Sequence, residues 1–233
     1  MELSKKSQTP HMFNKIASRY DFINRVLSMG MDILWRKQMV AMLPKERGLT
    51  ALDVAAGTGD QTVALLQSPD VGSVVALDPS TEMLKVAQEK VREKKIHKSV
   101  EFELASVEEM PFLDAAFNVI TMSFGIRNVP DVQKALKEMY RVLSPGGQVY
   151  ILEFSLAQNF VIRFFQKIYL RTFVPIVGGY LSGSKSAYSY LDKSIEAFPY
   201  GDNFVKELHA AGFSAATYFP LTFGVVTIYV ARR

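Results

Sequence analysis

The sequence predicts an α/β fold: a mostly parallel seven-stranded sheet wrapped by helices, with an antiparallel strand at one edge. A helical extension over residues 1–48 precedes the main domain, residues 49–233, which carries a helical insertion at about 159–198. Three observations predict this. From residue 49 to 154, short apolar runs rich in β-branched residues alternate with runs of helical period, the pattern of parallel βαβ units. Nothing in residues 1–48 reads as a strand. The last two strand-like runs, 214–220 and 224–231, are close enough for a hairpin around Phe223-Gly224, which reverses the chain.

In chain order, residues 1–10 are polar and expected to be poorly ordered. Met12 to Leu43 is helical with a bend near Ser28-Met29-Gly30; Phe13, Ile16 and Ala17 share one face, and Ile33, Leu34 and Leu43 share another more loosely. Pro44 to Gly48 turns into the first strand. Asp60 has N-cap chemistry for a helix over 60–67, and 73–78 is a second strand. Ser80 or Thr81 caps a helix to about Lys95, with Leu84, Ala87 and Val91 buried. Val100 to Ala105 and Phe117 to Ser123 are strands. Asp131 begins a helix whose Val132, Ala135, Leu136, Met139, Tyr140 and Leu143 mark a core face; Pro145-Gly146-Gly147 stops it before a strand from Gln148 to Phe154. Residues 159–198 are helical and aromatic, with interruptions expected at Pro175 and Gly178-Gly179, and a helix over 202–211 precedes the hairpin.

The apolar share, 48%, allows a substantial core in a chain of 233 residues. The absence of cysteine excludes disulfides, thiolate metal sites and cysteine nucleophiles. His11, His97 and His209 have no ligand spacing, so no metal is expected. The formal charge of +4 sits within residues 1–40, which suits a solvated surface or attraction to anionic lipid and is too small to argue for nucleic acid. The N-terminus has no apolar signal core, and a cytoplasmic protein is expected.

The chemistry centres on Leu49 to Gln61. An apolar strand runs into Ala55-Ala56-Gly57-Thr58-Gly59, where Gly57 and Gly59 permit positive φ and close approach of a ligand. An ordinary βα turn would look similar. Asp78, at the end of the next strand, lies at the spacing of about 20 residues from which an acid reaches ribose hydroxyls. The third glycine of a dinucleotide fingerprint and the Lys-Ser/Thr of a P-loop are both missing, which favours a nucleoside without a pyrophosphate.

Asp53-x-x-x-Gly57-x-Gly59 followed by Asp78 resembles the S-adenosylmethionine (SAM) site of Rossmann-like class I methyltransferases. Further stretches resemble the ubiquinone/menaquinone biosynthesis C-methyltransferase family. They are Ala17-Ser-Arg-Tyr-Asp21-Phe-Ile-Asn24 with Leu27-Ser28 and Trp35, then Phe124-Gly-Ile-Arg-Asn128, Arg141 to Gly147 with Leu152-Glu-Phe-Ser155, Tyr188 to Ile195, and Gly224-Val-Val-Thr. Asp32, Ser106 and Ser144 depart from the family pattern, where His, Asn and Lys are usual; Asp32 and Ser144 are expected at the surface. The resemblance implies that Asp53, Gly57, Thr58 and Gly59 hold the methionine and ribose side of SAM and that Asp78 takes the ribose hydroxyls. It further implies that Met83 packs on the adenine, Ser106 and Val107 border the base, and Ser123 lies under the sulfonium. For Ser123, a small core residue is the competing reading.

The implied reaction is methyl transfer to a ring carbon of a polyprenylated hydroquinone, demethylmenaquinol being the usual bacterial substrate. Arg127 and Asn128 are the expected catalytic residues, Arg127 stabilising a phenolate and Asn128 orienting a ring oxygen; the competing reading makes Arg127 a structural ion-pair residue. Arg163, Lys167 and Arg171 share a helical face amid Phe160, Phe164, Phe165, Ile168 and Leu170. That segment is a helix packed over the sheet, a lid for the isoprenoid tail, with Tyr188, Tyr190 and Phe198, or a face for peripheral membrane contact. A methyltransferase acting on another small molecule and a non-catalytic binding module are the rivals. Naphthoquinol or benzoquinol ring, tail length, and monomer or homodimer stay open.

Overall fold

A computed structural model describes residues 9–182 and 185–233. Side chains of residues 9–16, 18 and 182–190 lie outside that description, and with them the expectations for Phe13, Ile16, Tyr188 and Tyr190; the expectation for residues 1–8 lies outside it as well.

Helices α1 (Thr9–Ser28) and α2 (Met31–Ala41) precede β1 (Leu49–Val54), α3 (Asp60–Leu66), β2 (Val71–Leu77), α4 (Thr81–Glu93), β3 (Ser99–Glu103) and β4 (Phe117–Ser123). Then follow α5 (Val132–Val142), β5 (Leu143–Phe154), α6 (Phe160–Ile168), a π-helical turn (Tyr169–Phe173), α7 (Val174–Ser182), α8 (Lys185–Ala197), α9 (Asp202–Ala210), β6 (Ala215–Leu221) and β7 (Val226–Arg232). The seven strands form one sheet in the order β3-β2-β1-β4-β5-β7-β6. All pairs from β3 to β5 are parallel, while β7 runs antiparallel to both β5 and β6. The antiparallel edge is therefore the β6–β7 hairpin, with β7 inserted beside β5.

Both faces of the central strands β1, β4, β5 and β7 are buried, which is why these are nearly continuous apolar runs, while the edge strands β3 and β6 are half exposed. Leu52, Val54, Ile120, Met122, Val149 and Ile151 face α5 and α9; Ala51, Val119, Tyr150 and Leu152 face α2 and α3. A third, smaller core joins Ile23 of α1 to Leu156, Leu170, Val174 and Ile195, so the N-terminal helix and the insertion pack on each other.

Several local expectations are corrected. Gly59, at φ 81°, is the N-cap of α3; Asp60 makes no cap and is used in ion pairs instead. On α2 the inward stripe is Asp32, Trp35 and Met39, while Ile33 and Leu34 are exposed. Asp32 is thus buried, bonded by Arg25 and Ser28, and not a surface residue. Pro175 and Gly178-Gly179 do not interrupt the insertion. Pro175 has no N–H to offer to a carbonyl one turn earlier, and the chain widens into the π turn just before it, with the Thr172 hydroxyl bonding the Ile168 carbonyl at 2.6 Å. The bend near Ser28 to Gly30 is present, with Met29 and Gly30 at φ 53° and 77°.

Candidate active site

The strand order reverses between β1 and β4, whose carboxyl ends open into a crevice, the place where open α/β sheets bind ligands. The turns after these strands press against each other. A Cβ on Gly125 would come within 2.8 Å of the Ala55 Cβ and 2.7 Å of Met122 Cε, so only glycine fits there. Ala55 and Phe124 both sit at positive φ, 51° and 59°, strain of the kind that clusters at functional sites.

Two cavities lie above these turns. The smaller, about 370 Å³, is lined by Ala55, Ala56, Gly57, Thr58, Gln61, Asp78, Met83, Ser106, Val107, Ser123 and Asn128, among others. Asp78 is nearly buried and accepts from Gly57 N at 2.9 Å and Ser80 N at 2.8 Å. Burial raises its carboxyl to about 6 against these two backbone donors. Ser80 also caps α4, accepting from Met83 N. Gly57, at φ 56°, has nothing within 4 Å of where a Cβ would lie. Gly59 serves packing instead: its Cβ would meet the Ala87 Cβ at 2.9 Å. Neither Gly59 nor Asp53 lines the cavity. Asp53 is fully buried beneath the turn, paired with Thr62 at 2.6 Å and Thr121 at 3.0 Å, and burial raises it to about 6 as well.

Thr58 turns its hydroxyl to Asp21 of α1 at 2.5 Å, and an ionic chain continues from there. Asp21 pairs with Lys90, Lys90 with Asp60, Asp60 with Arg25, and Arg25 with Asp32. Burial would raise the Asp60 carboxyl, but Lys90, Arg36 and Arg25 hold it below its ordinary value. The N-terminal helix is thereby tied to the glycine turn.

The larger cavity, about 430 Å³, is mostly apolar and lies between α1, α2, the β4 and β5 ends and the insertion. Trp35, Phe124, Phe154, Phe165, Tyr169 and Leu170 contribute its walls, and Asp32 is the one carboxylate among its lining residues. Gln166 seats the insertion, donating to the Ser155 carbonyl at 2.8 Å and accepting from Ala157 N at 3.0 Å.

Tyr20, Arg36, Phe124 and Asn128 line both cavities and form their common wall. Arg127, expected to face the reacting carbon, lines the larger cavity only. Its Nη1 is held by the fully buried Glu153 at 2.6 Å and by the Phe124 carbonyl at 2.9 Å, and its guanidinium lies 5.3 Å from the Phe154 ring centre. Burial raises the Glu153 carboxyl, and Arg127 opposes that shift. The motif arginine thus pins the strained Phe124 turn. Asn128 is close to the same carbonyl at 3.5 Å. Sequence reasoning passed over Gln61 and Arg36, although they adjoin the glycine turn and the Trp35 motif. Ser106 contacts Glu108 locally, and Ser144 is half-buried with its hydroxyl on the Ala115 carbonyl. Among the described residues, no group of His, Asp and Glu is placed to hold a metal ion.

A parallel sheet with a nucleoside-sized crevice at its switch point, roofed by helices, is the architecture of the class I methyltransferases. A SAM-dependent methyltransferase from Aquifex aeolicus shares the fold with a TM-score of 0.64 at 18% identity, over 96% of this chain and 97% of that one. The chain belongs to the ubiE/COQ5 methyltransferase family, whose model matches residues 1–233, and is a SAM-dependent methyltransferase. It is 38% identical to a demethylmenaquinone methyltransferase of Chlorobaculum tepidum, covering 100% of this chain and 95% of the relative. It is 39% identical to a ubiquinone/menaquinone biosynthesis C-methyltransferase of Geotalea daltonii, covering 98% and 97%.

Proposed function

We propose that this enzyme methylates a ring carbon of a prenylated hydroquinone, demethylmenaquinol, with SAM in the smaller cavity and the quinol in the larger. The observation that carries the reading is the common wall: a polar chamber and an apolar chamber meet at Tyr20, Arg36, Phe124 and Asn128. The names of the relatives supply the ring chemistry. SAM brings a methyl already activated by its positive sulfur. Asp78 accepts from the ribose diol, Met83, Ser106 and Val107 border the base, and Thr58 and Ser123 lie toward the methionine end. Asp53 and Gly59 act from behind, holding the turn. Asn128 faces the ring oxygen across the wall, and Arg127 with Glu153 positions the loop that carries it. A phenol ionises near pH 10, so the larger cavity must orient the quinol and favour its phenolate. Labelled SAM with short-tailed demethylmenaquinol and its benzoquinol analogue, followed by product mass, tests this. A naphthoquinol heavier by one ring methyl is expected. Intact SAM binding with no methylated product from either ring would overturn the quinol reading.

We also propose peripheral membrane contact through the insertion. Phe160, Phe164, Phe165 and Ile168 of α6, with Ile176 and Tyr180 of α7, are all exposed, and Phe165 also lines the quinol cavity. The face therefore runs from solvent to the mouth of the apolar chamber. Among the described residues no helix is long and apolar enough to cross a membrane. Charge contributes less than the basic stripe suggested, because Lys167 and Arg171 are already paired with Glu196 and Asp192 of α8. Flotation with anionic vesicles should fall when Phe160 and Phe164 become Ser, and change little when Lys167 and Arg171 become Gln. Equal loss in both variants would overturn the apolar reading. A dimer seen by light scattering and lost in the Phe variants would assign the face to a second copy.

A further inference from the structure

Among the described residues, four buried side-chain polar atoms have no partner: Arg36 Nε, Gln61 Nε2, Arg127 Nε and Asp192 Oδ1. Two of them, both donors, belong to side chains that line the smaller cavity. Gln61 is 1% exposed, and its Oε1 is taken by the Ser123 hydroxyl at 3.3 Å, which leaves its NH2 as the free end. Arg36 lies with its guanidinium 5.3 Å from the Phe124 ring centre and makes no ion pair among the described residues. The nearby carboxylates are already used: Asp53 by Thr62 and Thr121, Asp60 by Arg25 and Lys90. Buried donors without acceptors are costly and persist where a ligand completes them.

We infer that Arg36 and Gln61 together receive the methionyl carboxylate of SAM, at the end of the smaller cavity next to the common wall. A carboxylate accepts only, carries the charge opposite to Arg36, which feels Asp60 at a distance but forms no ion pair with it, and has two oxygens to divide between two donors. A quinol phenolate in the other cavity fits less well, because Gln61 does not line that cavity and would stay unpaired. Arg36 is then a cofactor-orienting residue: it fixes the amino-acid tail from the side on which the acceptor ring approaches. The inference rests on the placement of SAM in the smaller cavity.

The test compares two ligands by titration calorimetry on the full chain: S-adenosylhomocysteine and its decarboxylated analogue. Wild type should prefer the carboxylate-bearing ligand by about tenfold or more, the scale of a charge-assisted pair. Arg36→Gln should shrink that preference to within a few-fold, and Arg36→Lys should keep part of it. Gln61→Glu, nearly isosteric, puts an acceptor where the donor was. It should weaken the homocysteine ligand and spare the analogue, a readout that stands even if Arg36→Gln fails to fold. A preference unchanged in the folded Arg36 and Gln61 variants, or equal weakening of both ligands, overturns the inference. Asp78→Asn separates this from the placement itself, since it should weaken both ligands alike; no effect on either would sink the placement whatever Arg36 does.

Discussion

The two cavities are built by different means. The smaller is walled by strand-end loops, where backbone N–H groups and fully buried carboxylates set the geometry. The larger is walled by helix faces from three separate stretches, held by one small apolar core and by partly exposed ion pairs. The difference teaches where rigidity sits. On the proposed placement, a nucleoside of fixed shape meets a chamber whose positions are dictated by the sheet, while a long apolar tail meets helices that can separate without disturbing the sheet. Damage to the first chamber should therefore change cofactor affinity, and damage to the second should change quinol turnover.

The largest effect is expected where the two chambers share a support. Arg127→Gln leaves Glu153 buried without its partner and should cost about 3–5 kcal/mol in urea unfolding; Glu153→Gln should cost less, because it removes the buried charge itself. A variant at Arg127 that keeps wild-type stability and still loses about a hundredfold in turnover would restore a direct catalytic role.

Next comes the helical roof. Ile195→Ala empties a fully buried position in the core that joins α1 to the insertion, and should destabilise by about 2–5 kcal/mol. Quinol turnover should fall while S-adenosylhomocysteine affinity stays within a few-fold. If both fall together, the chambers are not independent and the comparison fails.

Asp78→Ala should weaken S-adenosylhomocysteine by about 1.5–3 kcal/mol, the value of hydrogen bonds to a charged acceptor. Affinity of the unaltered protein should drop as pH falls through about 6, where Asp78 takes up its proton, and Asp78→Asn should flatten that profile. The stability effect has the opposite sign. Asp53 and Asp78 both titrate near 6 in the fold against an ordinary 3.8. Their ionisation therefore weighs against the folded state above about pH 6, and that cost is relieved as the pH falls from 6 toward 3.8. Tighter binding at pH 5 than at pH 7 would remove Asp78 from the site.

The smallest effect should come from the surface pairs of the roof. Arg171→Gln breaks contacts with Asp192 and Glu196 in which the arginine side chain is about half exposed, and should change stability by no more than about 1 kcal/mol. A larger loss would mean that charge, and not the apolar core, holds the roof in place.

The glycine turn, the second-strand carboxylate, the presence of each strand and the hairpin were legible in the sequence, because each is fixed by neighbours within a few residues: β-branched runs, a positive-φ turn, a capping serine. The start of β5 was not, since it begins at Leu143 and runs through Pro145-Gly146-Gly147, which looked like a helix stop before Gln148. Asp78 was placed from its spacing after the glycine turn, whereas Met83, Ser106, Val107 and Ser123 came from the family resemblance; all five line the smaller cavity. The misreadings arose where a partner comes from far along the chain. Asp60 looks like a cap until Arg25 and Lys90 arrive beside it, Asp32 looks solvent-facing until α1 covers it, and the ion pair that was one of two readings for Arg127 shows only once Glu153 lies beneath it. Sequence determined most of the elements and a nucleoside site, since hydrophobic period and turn geometry are short-range, and the family resemblance added SAM. Only the tertiary structure decided which charges are neutralised, which donors are left without acceptors, and that two chambers share a wall, because burial and pairing depend on residues as distant as Arg36 and Phe124.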